Sequence, residues 1–109
     1  MKWRQLVSEY DYDEDTEMIL EICLQFLQDY FGHEINVAQQ ILADFLEQHR
    51  TDYGEDMIHH ELSYRIAAIM HYLIFLKGDR TNVGTWLAES GHHAAPREAL
   101  EYFRENFYR

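Results

Sequence analysis

One cysteine (Cys23), one proline (Pro96) and five glycines are all that 109 residues contain of these types. A lone cysteine excludes an intrachain disulfide and suits a reducing cytosol. So few breakers exclude a loop-rich or low-complexity chain, and no internal repeat is visible. Positive charge is scarce too: nine Lys and Arg stand against 20 Asp and Glu, a formal net of −11. Such a chain is repelled by phosphate, which argues against nucleic acid and anionic membranes as ligands. Long hydrophobic runs are missing. The longest, residues 66–76, is interrupted by His71 and makes about 16 Å of helix, against ~30 Å of hydrocarbon. No apolar stretch follows the opening Met-Lys-Trp-Arg-Gln, so no signal peptide is expected and the reading is cytoplasmic.

What is present is core material. Apolar residues make up 47% and aromatics 15%, enough for one packed domain over 1–109 that needs no metal or cofactor to fold. The apolar spacing is helical nearly throughout, with no strand-like alternation. A short helix at about 2–10 carries Trp3, Leu6, Val7 and Tyr10. A second, about 14–31, lines up Met18, Ile19, Ile22, Cys23, Phe26, Leu27 and Tyr30, with Gly32 as its stop. Asn36 and Gln39 suggest a capping box for a third at about 37–49, whose core face is Val37, Ile41, Leu42, Phe45 and Leu46. After a turn at 51–54, the longest helix, about 56–77, presents Leu62, Ile66, Ile69, Leu73 and Leu76, widened by Ala68, Tyr72 and Phe75. Apolar nearly all round, it should be central and buried. A short helix at about 81–90 uses Val83, Trp86 and Leu87, and Pro96 opens a last one carrying Leu100, Phe103 and Phe107. The expectation is an all-α bundle of five or six helices with short loops. Trp3, Tyr12, Tyr53 and Tyr108 fall outside or at the ends of the stripes.

The charge is unevenly divided. Residues 1–61 hold 15 acids and three bases, net −12; residues 62–109 hold five acids and six bases, net +1. The densest run is Glu9, Asp11, Asp13, Glu14, Asp15, Glu17 and Glu21, with Tyr10 and Tyr12 interleaved and no base among them. A weaker cluster contains Asp52, Tyr53, Glu55, Asp56 and Glu61. Two explanations stand. Acids before a helix cap it and favour its positive end, each contributing ~0.3–1 kcal/mol. One cap and two first-turn acids would suffice for that, and further like charges repel. The surplus, with tyrosines in it, fits a contact surface for a basic partner.

Catalytic patterns are weak or absent. His60-Glu61-Leu62-Ser63-Tyr64 fails the zinc-helix pattern, because tyrosine stands where the second histidine belongs. Glu89-Ser90-Gly91-His92 matches a di-iron half-motif once, where Gly91 is expected to stop the helix. Solvated surface histidine explains His59/His60 and His92/His93 better than a metal site does. Ser8, Ser63 and Ser90 lack a nucleophile-elbow context, and Cys23 falls on a buried stripe. Arg65 and His71 fit the loose R-x(4–6)-H pattern of HEPN ribonucleases, in which the two share a phosphate. Six residues apart on a helix they do not share a face, and the simpler reading pairs Arg65 with Glu61 and leaves His71 at the core edge.

Small, acidic, helical and without a catalytic motif, the chain resembles bacterial toxin-immunity proteins, both those of nuclease colicins and those of contact-dependent growth-inhibition systems. The resemblance covers the whole chain in size, class and charge, and its most specific part is Glu9-Tyr10-Asp11-Tyr12-Asp13-Glu14-Asp15. It implies a monomer that binds a basic protein partner, a toxin nuclease domain, and is not itself an enzyme. Glu9–Asp15, Glu17 and Glu21 would form the contact, with Asp52, Tyr53, Glu55 and Asp56 as a secondary one. The alternatives are an acidic adaptor or antitoxin using the same face, and a HEPN-like ribonuclease using Arg65 and His71.

Overall fold

A computed structural model describes residues 1–107, and among these the regular structure is all helical. Seven α-helices follow one another, one or two more than the periodicity predicts: α1 (Lys2–Glu9), α2 (Glu14–Asp29), α3 (Ile35–Gln48), α4 (Glu55–His60), α5 (Ser63–Met70), α6 (Val83–Ser90) and α7 (Arg97–Phe107). A π-helical turn, His71–Phe75, continues α5, and a 3-10 turn, Arg80–Asn82, leads into α6.

α2 is the hub. It packs against α5, α3, α7 and α4, while α1 lies along α3. Its stripe behaves as the spacing predicts: Ile19, Ile22, Cys23, Phe26 and Leu27 are all buried. Burial pushes the Cys23 thiol far above its usual range, so it is inert packing rather than a nucleophile. α5 is the buried central segment expected, with every residue but Arg65 inside. Buried side chains from all seven helices, α4 contributing Ile58, α6 Val83 and α7 Ala99, join one contiguous apolar cluster. No helix among the described residues is long and apolar enough to cross a membrane.

Several expectations need correction. The helix drawn over 56–77 is broken at Glu61 and Leu62, both extended, so Leu62 leaves the stripe and is 39% exposed. Further on, the Leu76 amide reaches back five residues to the His71 carbonyl. That wider turn rotates Phe75 and Leu76 off the buried face, and both are exposed. α3 starts at Ile35 with Glu34 as its N-cap, so Asn36 is not the cap. In that phase Ala38, Ile41, Leu42, Phe45 and Leu46 share the buried face. Val37, 100° away, is exposed over a shallow groove with Ile74 and Phe75. Leu100 is likewise exposed. Trp3 is no exception to the core but lies fully inside it, and Tyr108 lies outside the described residues.

Gly78 is where the chain needs glycine for space. A Cβ there would stand 2.1 Å from the Tyr72 ring. That ring stacks on Trp86 with centroids 4.6 Å apart, and its hydroxyl donates to the Asp79 carbonyl at 3.1 Å.

Candidate functional site

The two acidic clusters, some 40 residues apart in sequence, meet where α2 and α4 begin. Asp13 caps α2, its Oδ1 accepting the Thr16 amide at 2.8 Å. The Asp13 amide donates to Glu55 Oε2 at 3.0 Å, from the first turn of α4. Thr16, wholly buried, places its hydroxyl 2.8 Å from Asp13 Oδ1, 2.7 Å from Glu55 Oε2 and 2.6 Å from His59 Nε2. The amide and hydroxyl of Thr16 hold the Asp13 carboxyl below its ordinary range, with a smaller contribution from His59.

Ligand atoms of Asp13, Glu55 and His59 lie within 4.8 Å of one another. Two carboxylates and an imidazole are a donor set for a divalent metal. The Thr16 hydroxyl already bridges the three, so the cluster is closed on itself by hydrogen bonds.

Around this knot the predicted contact residues divide. Glu17 and Glu21 share the Arg4 guanidinium, Glu17 at 3.3 Å and Glu21 in closer contact. Asp52 is bonded to Arg80, and Tyr53 is half-buried against Phe45 and His49. Tyr10 and Tyr12 meet edge to face at 5.7 Å and pack against the core. The Arg50 guanidinium sits 3.8 Å over the Tyr10 ring, and desolvation raises the Tyr12 phenol above its ordinary range. The tyrosines are therefore partly committed inward. Glu9, Asp11, Glu14 and Asp15 remain exposed, and no salt bridge or side-chain hydrogen bond among the described residues engages them. With Asp56, also exposed, they form an acidic corner beside the Asp13–Glu55 knot.

Helix electrostatics explain part of this corner. Glu14, Asp15 and Glu17 occupy the first turn of α2, and Glu55 and Asp56 that of α4, where negative charge is favoured. Glu9 and Asp11 are different. α1 closes with the Tyr12 amide on the Val7 carbonyl (3.0 Å) and the Asp11 amide on the Ser8 carbonyl (3.1 Å). This is a Schellman motif with Asp11 at the left-handed position, φ 57°. Glycine or asparagine suits that position better, and an acid at a helix C-terminus opposes the dipole.

A second polar cluster went unseen in the sequence, which places His71 at the core edge and reads His92 as solvated surface. His33, His71 and His92 converge around the π-helical turn. His33 Nε2 and His71 Nδ1 are 2.8 Å apart, and the Tyr64 hydroxyl bonds His92 Nδ1 at 2.8 Å. Phe31 stacks on His71 at 4.9 Å, Phe75 stacks on His71 at 5.4 Å, and Trp86 lies 5.3 Å from His92. Desolvation holds all three imidazoles below their ordinary range, His71 down to about 4, with the charges of His33 and His92 adding to the shift at His71. The cluster is thus neutral at pH 7. No local signal announces it, because its members come from segments at least 21 residues apart.

Arg65 bonds Glu61 at 2.9 Å and the His93 carbonyl, while His71 faces His33. The pairing of Arg65 with Glu61 is the one expected. Arg65 and His71 thus have separate partners. No family model, curated protein or solved structure matches the chain.

Proposed function

We propose that this protein is a binding protein of the toxin-immunity type. It neutralises a basic partner, a toxin nuclease domain, by presenting the acidic corner built from Glu9, Asp11, Asp13, Glu14, Asp15 and Asp56. The observation that carries the reading is the pair Glu9 and Asp11. They put unpaired negative charge at the end of α1, where it costs stability rather than adding it. Local rules broken without a local gain are the mark of a functional surface.

The mechanism is electrostatic. A nuclease cleft that holds phosphate carries positive charge, and an acidic corner can occupy that cleft or its rim. Long-range attraction raises association toward 10⁸–10⁹ M⁻¹s⁻¹ at low salt. The exposed edges of Tyr10 and Tyr12, held in place by Arg50 and the core, give the contact rigid aromatic area.

Tagged protein, used as bait in the organism that encodes it, should recover one basic partner in equimolar amount. Co-expression should abolish that partner's toxicity, and the Asp11→Lys/Asp15→Lys variant should fail to protect while keeping its helical circular dichroism. Full protection by the double variant would remove the acidic corner from the mechanism. The same face also serves an adaptor or antitoxin. Gene order separates these, since an immunity gene directly follows its toxin gene.

A further inference from the structure

The hydrogen bonds that close the knot of Asp13, Glu55 and His59 do not balance in protons. Thr16 Oγ1 carries a single proton, yet it lies 2.8 Å from Asp13 Oδ1, 2.7 Å from Glu55 Oε2 and 2.6 Å from His59 Nε2. An ionised carboxylate only accepts, and one imidazole nitrogen brings at most one proton more. With Nε2 donating to Oγ1, the hydroxyl proton reaches one carboxylate and the other meets a bare lone pair. With Nε2 accepting, two contacts are left bare. Either way the knot is short of positive charge.

No base makes up the deficit. Lys2, Arg4, Arg65, Arg80 and Arg97 are each paired with acids elsewhere, and among the described residues no Lys or Arg forms a salt bridge with Asp13, Glu55 or Asp56. Only imidazoles stand opposite these acids, His59 at 3.6 Å from Asp13 and His60 at 3.4 Å from Asp56. Thr16 closes the inner side, wholly buried. The outer side is an open pocket lined by Asp13, Glu55, Asp56, His59 and His60, every one a carboxylate or an imidazole.

We propose that Asp13, Glu55 and His59 bind a divalent transition-metal ion of the zinc class, which enters from this pocket. The imidazole favours such an ion over magnesium or calcium, which take oxygen donors. The spacing is close to what zinc needs. Bonds of about 2.0–2.2 Å put tetrahedral ligand atoms about 3.4 Å apart. His59 Nε2 and Asp13 Oδ1 already stand 3.6 Å apart, and all three ligand atoms fall within 4.8 Å. Three protein ligands with one open side leave a position for water. The ion supplies the positive charge that the proton count lacks, and it ties the start of α2 to the start of α4.

Calorimetric titration of the full chain with zinc chloride at pH 7 tests this with no protein partner present, so its outcome is separable from that of the immunity reading. One ion per chain should bind. In NMR, the His59 ring should shift most among the seven histidines. His59→Gln and Glu55→Gln should each weaken zinc at least about tenfold, while His93→Gln, at an exposed position remote in sequence, should change nothing. Magnesium in roughly hundredfold excess should not displace the zinc. Absence of saturable zinc binding by the wild type would overturn the proposal, as would ring shifts centred on His92 and His93, equal affinity in His59→Gln, or displacement by magnesium. The wild-type ring shifts decide the site even where a variant unfolds.

Discussion

Where α1 runs into α2 and α4, the polar side chains are acids kept at the surface, several of them unpaired. Around the π-helical turn they are imidazoles packed between aromatic rings and neutral at pH 7. The first region keeps its charge hydrated, so the charge acts at long range and adds little to the fold. The second gives up charge for packing, so it stabilises the fold and is nearly invisible to a charged partner. Stability and recognition are therefore carried by different parts of one small bundle. Substitutions at the two should have separable effects.

The largest effect is expected in the packed region. Gly78→Ala drives a methyl group into the Tyr72 ring and so disturbs its stacking on Trp86. It should destabilise by about 3 kcal/mol, visible as a fall in Tm. An unchanged melting curve would mean that Tyr72 has another resting place.

Thr16→Val separates the hydrogen-bonded knot from the free charges beside it. The variant keeps the shape but leaves Asp13, Glu55 and His59 without their shared hydroxyl. Urea unfolding should show a loss of about 2 kcal/mol. A neutral result would reduce the knot to a solvated cluster.

Acid should weaken the imidazole cluster first. The His71 pKa of about 4 in the folded protein lies below the ~6.5 of the unfolded chain. Between those values the unfolded state binds the extra proton. Stability is therefore undiminished above pH ~6.5 and falls as the pH drops toward 4. The loss should reach roughly 1–2 kcal/mol, after allowance for solvent screening of a half-exposed ring. His33 and His92 shift the same way. Urea midpoints at pH 7.5 and 5 measure it, and His71→Gln should shrink the difference. Equal midpoints in the wild type would contradict a neutral cluster.

The smallest effect has the opposite sign. Asp11→Gly relieves a left-handed φ of 57° and removes an acid from the negative end of α1. It should stabilise by about 0.5 kcal/mol while weakening partner binding. A destabilised variant would show that Asp11 serves the fold.

Much of the bundle is legible in the sequence because one-dimensional spacing encodes it. Ile19, Ile22, Phe26 and Leu27 mark the buried side of α2 in the spacing and in the structure alike. The break at Glu61 and Leu62 carries no glycine or proline to announce it. The π-helical turn inserts one residue and changes the phase for Phe75 and Leu76, which no helical period anticipates. At the acidic corner the charge is legible, but its pairing is not. Arg4 reaches Glu17 and Glu21 across a loop, and Glu55 reaches Asp13 from 42 residues away. Such contacts depend on how helices pack, as does the meeting of His33, His71 and His92.

The rate at which the captured partner associates, measured by stopped flow at low and high salt, tests the central claim most directly. The wild type should associate near 10⁸ M⁻¹s⁻¹ at low salt and slow steeply as salt rises. Asp11→Lys/Asp15→Lys should associate at least tenfold more slowly and lose most of that salt dependence, with its melting temperature little changed. Equal rates and equal salt slopes for the two proteins would contradict the acidic corner as the recognition surface.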